Sequence, residues 1–208
     1  MVLKLYARTG WGGGGGIVAL TLAEKQIPFE HAAINLAQKE HKTPEFLAMH
    51  PFGQVPVIVR AFPQFHRNMR SKALPLLPTG LKERALVEQA ASVEFANFLP
   101  AVLNVVTEFV RKPLSGMPTD DAASATALAE LSTVLDVYET ILSKHRYFGG
   151  DEFTIADLFH FSYAPMLADA GVPIMTSTGP NVARWWNDLI SRPAWIKLKE
   201  EGIKGTAI

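Results

Sequence analysis

His41 and Lys42 stand a short helix upstream of Phe52-Gly53-Gln54-Val55-Pro56, and this combination is the part of the sequence best equipped for chemistry. A residue that precedes proline is pushed into the extended region, so Val55 turns its backbone N–H and C=O sideways, where another extended chain can pair with them. A cis Val55-Pro56 bond would set a fixed kink at the start of that strand. The result is a peptide-binding edge with charge nearby. No cysteine occurs in the chain, which excludes disulfides, thiolate metal sites and CxxC redox centres. Thiol chemistry here must use a thiol brought in by a ligand. His31, His50, His145 and His160 have no metal-ligand spacing with carboxylates, so no metal is expected.

The elements that position these residues follow from periodicity. Val2 to Tyr6 alternates as a strand does, Ile17 to Gln26 carries apolar residues at helical spacing, and Pro28 to Asn35 reads as a second strand. A strand, helix and strand in that order form a parallel crossover unit. Thr43 is a candidate N-cap with Pro44 at the first helical position, and Val55 to Arg60 reads as a third strand. From Thr79 onward only helical patterns appear, after a proline-rich boundary at Pro75-Leu76-Leu77-Pro78. One long helix is expected from Leu81 to Lys112, kinked at Pro100. Leu128, Leu131, Leu135, Tyr138 and Leu142 mark a second helix, and Thr154 with Asp157 reads as a capping box opening a third.

Composition bounds the class. The chain has 208 residues, 48% of them hydrophobic, with 20 Lys plus Arg against 20 Asp plus Glu. That size suits one large core or two small ones, and the charge balance leaves no field to collect nucleic acid or an anionic membrane. The strand-like start carries no basic region followed by a long apolar run, so a cytoplasmic protein is expected, with no membrane partner.

The segment ending in Gln54-Val55-Pro56 resembles the glutathione-binding strand of the glutathione transferases, and Glu40 to Leu47 resembles the phi class of plants and fungi. Gly150 to Asp157 and Ser191-Arg192-Pro193-Ala194-Trp195 are similar to elements of the same family's helical domain. The resemblance implies an α/β thioredoxin-like domain over residues 1–74 and an all-α domain over 79–208 that contributes the hydrophobic substrate site. It implies a detoxifying transferase in which the glutathione thiolate attacks an electrophilic apolar compound, with glutathione as co-substrate, no other cofactor, and a homodimer. By the same resemblance His41 and Lys42 hold the glycyl carboxylate, Gln54 contacts the peptide, Val55 pairs with the cysteinyl backbone and Pro56 shapes the site. Trp11 and Phe109 are candidates for the hydrophobic site.

Two stretches depart from the family. Phi-type transferases carry a serine or related hydroxyl in the first turn of the first helix, facing the glutathione sulfur, whereas this stretch is Gly12-Gly13-Gly14-Gly15-Gly16. The run reads as an anion-binding nest of N–H groups, as a flexible loop before the helix, or as positions whose side chains are unread. Thr9 is the nearest upstream hydroxyl and the candidate thiol donor. Between Pro56 and Pro75 the chain is too short for a hairpin and a full helix. Arg67 and Asn68 fall where the family places its Glu/Gln-Ser pair, and Ser71 is the substitute for holding the γ-glutamyl end. Without a thiol-activating group, a non-catalytic ligand carrier or a docking module like that of translation elongation factors stays open.

Overall fold

The computed structural model describes residues 3–59 and 75–205. The chain forms two compact units, Met1–Leu74 with Pro193–Ile208, and Pro75–Arg192.

In the first unit, β1 (Leu3–Ala7) is the middle strand of a three-stranded sheet of order β2-β1-β3. The helix α1 (Gly14–Glu24) carries the chain to β2 (Phe29–Ala33), which pairs parallel to β1 with Leu3 opposite Phe29. After a 3₁₀ turn at Glu40–Lys42 and the helix α2 (Pro44–Met49), β3 (Val57–Val59) pairs antiparallel on the other side, with Tyr6 opposite Val57. The third strand is thus narrower than the expected Val55–Arg60, because Val55 and Pro56 lie before the ladder begins. Alternation places Leu5 and Ala7 at zero exposure, with Ala7 against Gly15 of α1, whose Ala19 and Leu20 are also buried.

The second unit is helical: α3 (Leu81–Leu114), α4 (Asp121–Leu142), α5 (Ile155–Leu158), α6 (Ala164–Asp169), α7 (Ile174–Ser177) and α8 (Pro180–Ile190). Pro100 does not break α3. A π turn at Glu94–Phe98 directly precedes it and widens the helix where proline removes an N–H and crowds the carbonyl one turn back, and a second π turn follows at Thr107–Arg111. The helix also runs past Lys112, with Pro113 inside its last turn. By length and composition α3 is apolar enough to cross a membrane, yet Phe98, Val102, Val105 and Val106 along it are core residues.

A fully buried carboxylate ties this unit together. Asp157 Oδ2 accepts the Thr154 N–H at 2.9 Å and the Thr154 hydroxyl at 3.2 Å, closing the expected capping box at the start of α5. Its Oδ1 accepts the Phe148 N–H at 3.1 Å and the Trp185 Nε1–H at 2.9 Å. Burial pushes the Asp157 carboxyl up, and the four donors hold that rise in check. Around it Phe98, Tyr138, Phe148, His160 and Trp185 pack as an aromatic cluster, with His160 Nδ1–H donating to Ala156 C=O and its Nε2 accepting from the Tyr138 hydroxyl.

The last helix, α9 (Pro193–Glu201), sorts with the first unit and not with the helical one. Trp195 meets Trp11 edge to face at 5.3 Å between centroids, and Ile203 lies over Gly15, so apolar burial draws this segment to α1.

Two predictions follow from the buried polar groups. Asp157→Ala leaves the Phe148 and Trp185 donors stranded and lowers the unfolding free energy by about 3 kcal/mol, read by urea denaturation, while Asp157→Asn loses less. Burial raises the Glu94 carboxyl from 4.5 to about 7, so the folded state keeps a proton that the unfolded chain releases, and stability is lost as pH rises through that window. His160 runs the other way: burial lowers it from 6.5 to about 3, and stability is lost as pH falls below 6.5. Glu94→Gln therefore gains about 1–3 kcal/mol at pH 8 and less at pH 5, and a gain equal at both pH values would contradict this account.

Candidate functional site

Three short segments of the first unit converge. The first is the tight loop after β2. Glu40 accepts the Asn35 N–H at 2.7 Å, Asn35 Oδ1 accepts the Gln38 N–H at 3.1 Å, and Lys39 sits in the left-handed region at φ 57°. This loop delivers His41 and Lys42 in the 3₁₀ turn. The Lys42 ammonium donates to the Phe52 carbonyl at 2.9 Å, so the turn is tied to the segment that precedes Val55. His41 Nδ1 is buried and has no partner among the described residues.

The second segment is Phe52 to Pro56. The Thr43 hydroxyl accepts the Phe46 N–H at 3.3 Å and starts α2 as expected, and the chain leaves α2 through a tight bend in which the Gly53 N–H donates to His50 C=O at 2.8 Å. Gly53 has φ 56°, and a Cβ there would lie 2.6 Å from the His41 carbonyl oxygen. Only glycine allows that approach. The Gln54 N–H donates to His50 Nδ1 at 3.4 Å, so His50 meets the bend through both its carbonyl and its ring. The Val55-Pro56 bond is cis. The Val55 N–H and C=O have no partner among the described residues, and the exposed Gln54 side chain stands beside them.

The third segment is the glycine run. Gly13 is the N-cap of α1 and gives no side-chain cap, while Gly14, Gly15 and Gly16 form the first turn. The first bonds of the helix come from the Gly16 and Ile17 N–H groups to the Gly13 carbonyl, so the N–H groups of Gly14 and Gly15 precede them without a partner among the described residues. The three positions differ in the room they leave. A Cβ on Gly16 would overlap the Trp11 carbonyl, one on Gly15 would press on Ala7 Cβ at 2.9 Å, and one on Gly14 would sit 3.1 Å from Pro56 Cδ. Gly14 is the exposed position that faces the cis-proline.

The structure thus brings His41, Lys42, Gln54, Val55 and Pro56 into one strip running from the 3₁₀ turn to the start of α1. Thr9 is exposed at the bend after β1. Trp11 packs on Trp195, and Phe109 lies half-buried in the second π turn of α3, in the other unit. Ser71 lies outside the described residues. Sequence reasoning missed the facing of Gly14 toward Pro56 and the roles of His50 and Gly53. A glycine directly before the Gln-Val-Pro triplet was the visible signal for the tight bend.

Comparison with known proteins places both units. Residues 17–73 match the family model described as glutathione S-transferase, N-terminal domain, and residues 98–193 match the corresponding C-terminal domain. A glutathione S-transferase of Hyoscyamus muticus is 37% identical over 193 residues, covering 88% of this chain and 91% of the relative. Glutathione S-transferase F11 of Arabidopsis thaliana is 37% identical over 194 residues with the same coverage, 88% and 91%. Among solved structures, glutathione transferase F2 of Populus trichocarpa superposes with a TM-score of 0.85 at 30% identity over 96% of this chain and all of that one. Glutathione S-transferase I from mais, in complex with an atrazine glutathione conjugate, gives a TM-score of 0.84 at 31% identity over 98% of this chain.

Gly53→Ala forces a side chain into the left-handed region and against the His41 carbonyl. It is expected to lower the unfolding free energy by about 1–3 kcal/mol, measured by urea denaturation, and an unchanged midpoint would mean that the bend is not constrained as described.

Proposed function

Because the chain belongs to the glutathione S-transferase family, with phi-class relatives, we propose that the strip from Lys42 to Gly14 is where it holds glutathione for conjugation. The protein is an enzyme that uses glutathione as co-substrate and transfers it to electrophilic compounds. The observation that carries the site assignment is the backbone edge of Val55, without a partner among the described residues and set between a cationic turn and the start of a helix.

In this reading the cysteinyl backbone of glutathione pairs with the Val55 N–H and C=O, adding a short strand at that edge. The glycyl carboxylate lies against Lys42, whose ammonium keeps two further donors after bonding Phe52, and against His41, whose buried Nδ1 lacks a partner among the described residues. Gln54 reaches the peptide, Pro56 shapes the turn, and Ser71 is proposed for the γ-glutamyl end. The sulfur then points at the first turn of α1. With no hydroxyl at Gly14, the N–H groups of Gly14 and Gly15 and the positive end of the helix dipole are left to favour the thiolate, with the Thr9 hydroxyl proposed as a further donor. The thiolate sulfur forms a bond to the electrophilic carbon, and the leaving group departs with the displaced electron pair.

The relatives named above are transferases, which favours catalysis over a carrier or docking role. The atrazine conjugate held by the mais protein supports an apolar aromatic electrophile. A cytoplasmic homodimer is proposed by the same likeness. The exposed Leu81 and Phe95, 88% and 70% accessible on one side of α3, supply apolar surface for a second copy.

An ultraviolet titration of bound glutathione tests the sulfur assignment. The bound thiol is expected to ionise below its free value of about 8.5, and Gly14→Ser is expected to lower it further by roughly one unit, equivalent to about 1.4 kcal/mol. Lys42→Ala should raise KM for glutathione roughly tenfold with little change in kcat. A bound thiol with an unshifted pKa in both the parent and Gly14→Ser proteins would overturn the assignment.

A further inference from the structure

The first turn of α1 has no side chain with which to hold itself. Gly14, Gly15 and Gly16 follow one another, and the N-cap Gly13 makes no side-chain bond. A turn of this composition gives up more backbone freedom on ordering than any other, so its geometry has to be imposed by neighbours. Gly14 borders Pro56, Gly15 lies between Ala7 of β1 and Ile203, and Gly16 lies against the Trp11 carbonyl. Ala7 and Pro56 belong to the sheet and to the glutathione strip. Ile203 belongs to neither, and comes from the segment that follows α9.

The path of Ile203 is set by the residue before it. The Gly202 N–H donates to Leu198 C=O at 2.9 Å, and Gly202 takes φ 70° beside Gly10, which turns the chain back onto α1. The Ile203 side chain ends 5% exposed, and a Cβ on Gly15 would meet its Cδ1 at 3.5 Å, an ordinary contact distance. Ile203 thus fills the space beside a residue that has no side chain to fill it. Trp195 of α9 adds a second contact: its ring meets Trp11 edge to face at 5.3 Å, and the Trp11 carbonyl is the group that closes over Gly16. One C-terminal segment therefore reaches the turn at two successive glycines.

We propose that Ile203 is a positioning residue for conjugation: its contact with Gly15 holds the Gly14 and Gly15 N–H groups in the orientation that favours the glutathione thiolate. This rests on the reading of the first turn as the sulfur's surroundings. Ile203 acts through the backbone of the turn and touches no part of glutathione in that reading.

The test follows the ionisation of bound glutathione by ultraviolet titration, with kcat and KM for glutathione, in the full-length parent chain and in Ile203→Leu, Ile203→Val and Ile203→Ala. Ile203→Val removes only Cδ1 and so probes the contact with little effect on folding. Ile203→Ala is expected to move the ionisation of the bound thiol to higher pH and to lower kcat at pH 6.5 about fivefold, with KM for glutathione within about twofold of the parent. Ile203→Val should fall between, and Ile203→Leu should stay close to the parent. Leu198→Ala removes a buried side chain of the same segment that lines the far half of α1 with Leu22 and Ala23. It should lower the urea midpoint and leave the bound thiol as in the parent. A shifted parent thiol that is unchanged in Ile203→Val and Ile203→Ala, or that moves equally in Leu198→Ala, would overturn this proposal alone. A parent thiol at its free value would overturn the reading of the first turn, and the proposal with it.

Discussion

The helical unit depends on one buried carboxylate. Asp157 has no exposed surface, and its two oxygens collect donors from the loop at Phe148, from the cap at Thr154 and from the indole of Trp185 on α8. A charge or dipole without partners at that depth would cost several kcal/mol, so the three segments are obliged to meet where they do. The aromatic cluster then forms against a fixed frame. His160 is held neutral in that cluster because burial disfavours its charged form, and the Ala156 carbonyl together with the Tyr138 hydroxyl assigns each ring nitrogen a role.

In the first unit the equivalent constraint is geometric. β1 is flanked on both sides, so its backbone is fully committed, and β3 begins only at Val57. The two residues before it, Val55 and Pro56, are half-buried and lie outside the ladder. Lys42 bonding the Phe52 carbonyl and Gly53 pressed on the His41 carbonyl lock this segment to the basic turn. In the proposed site, recognition and positioning share the same bonds, and a change at Gly53 reaches both.

The glycine run shows how chemistry and scaffold come apart. Gly16 lies so close to the Trp11 carbonyl that a side chain is excluded, and Gly15 is tight against Ala7 of β1, while Gly14 is exposed and would bring a Cβ to 3.1 Å from Pro56 Cδ. Three adjacent glycines thus have different reasons to be what they are. A side chain at Gly14 needs Pro56 to give by a few tenths of an ångström, and in the proposed site the sulfur relies on backbone donors or on a side chain from elsewhere. The fold survives this departure because α1 is held by Ala19, Leu20 and Leu22, which are buried further along the helix.

Much of this was legible in the sequence because it is local. The alternation around Leu5, the Thr43-Pro44 start and the Thr154-Asp157 box each follow from a few neighbouring residues, and each appears in the structure. The basic pair and the Gln54-Val55-Pro56 edge were legible for the same reason. What the sequence could not supply were relations between distant segments: that Trp195 and Ile203 draw the last helix onto α1, that Trp185 completes the shell of Asp157, and that α3 passes Pro100 by widening into a π turn. Local propensity acts over a few residues and is written in order along the chain. Burial and hydrogen-bond satisfaction act through space, so the facing of Gly14 toward Pro56 and the His41 Nδ1 left without a partner among the described residues were decided only when the chain closed on itself.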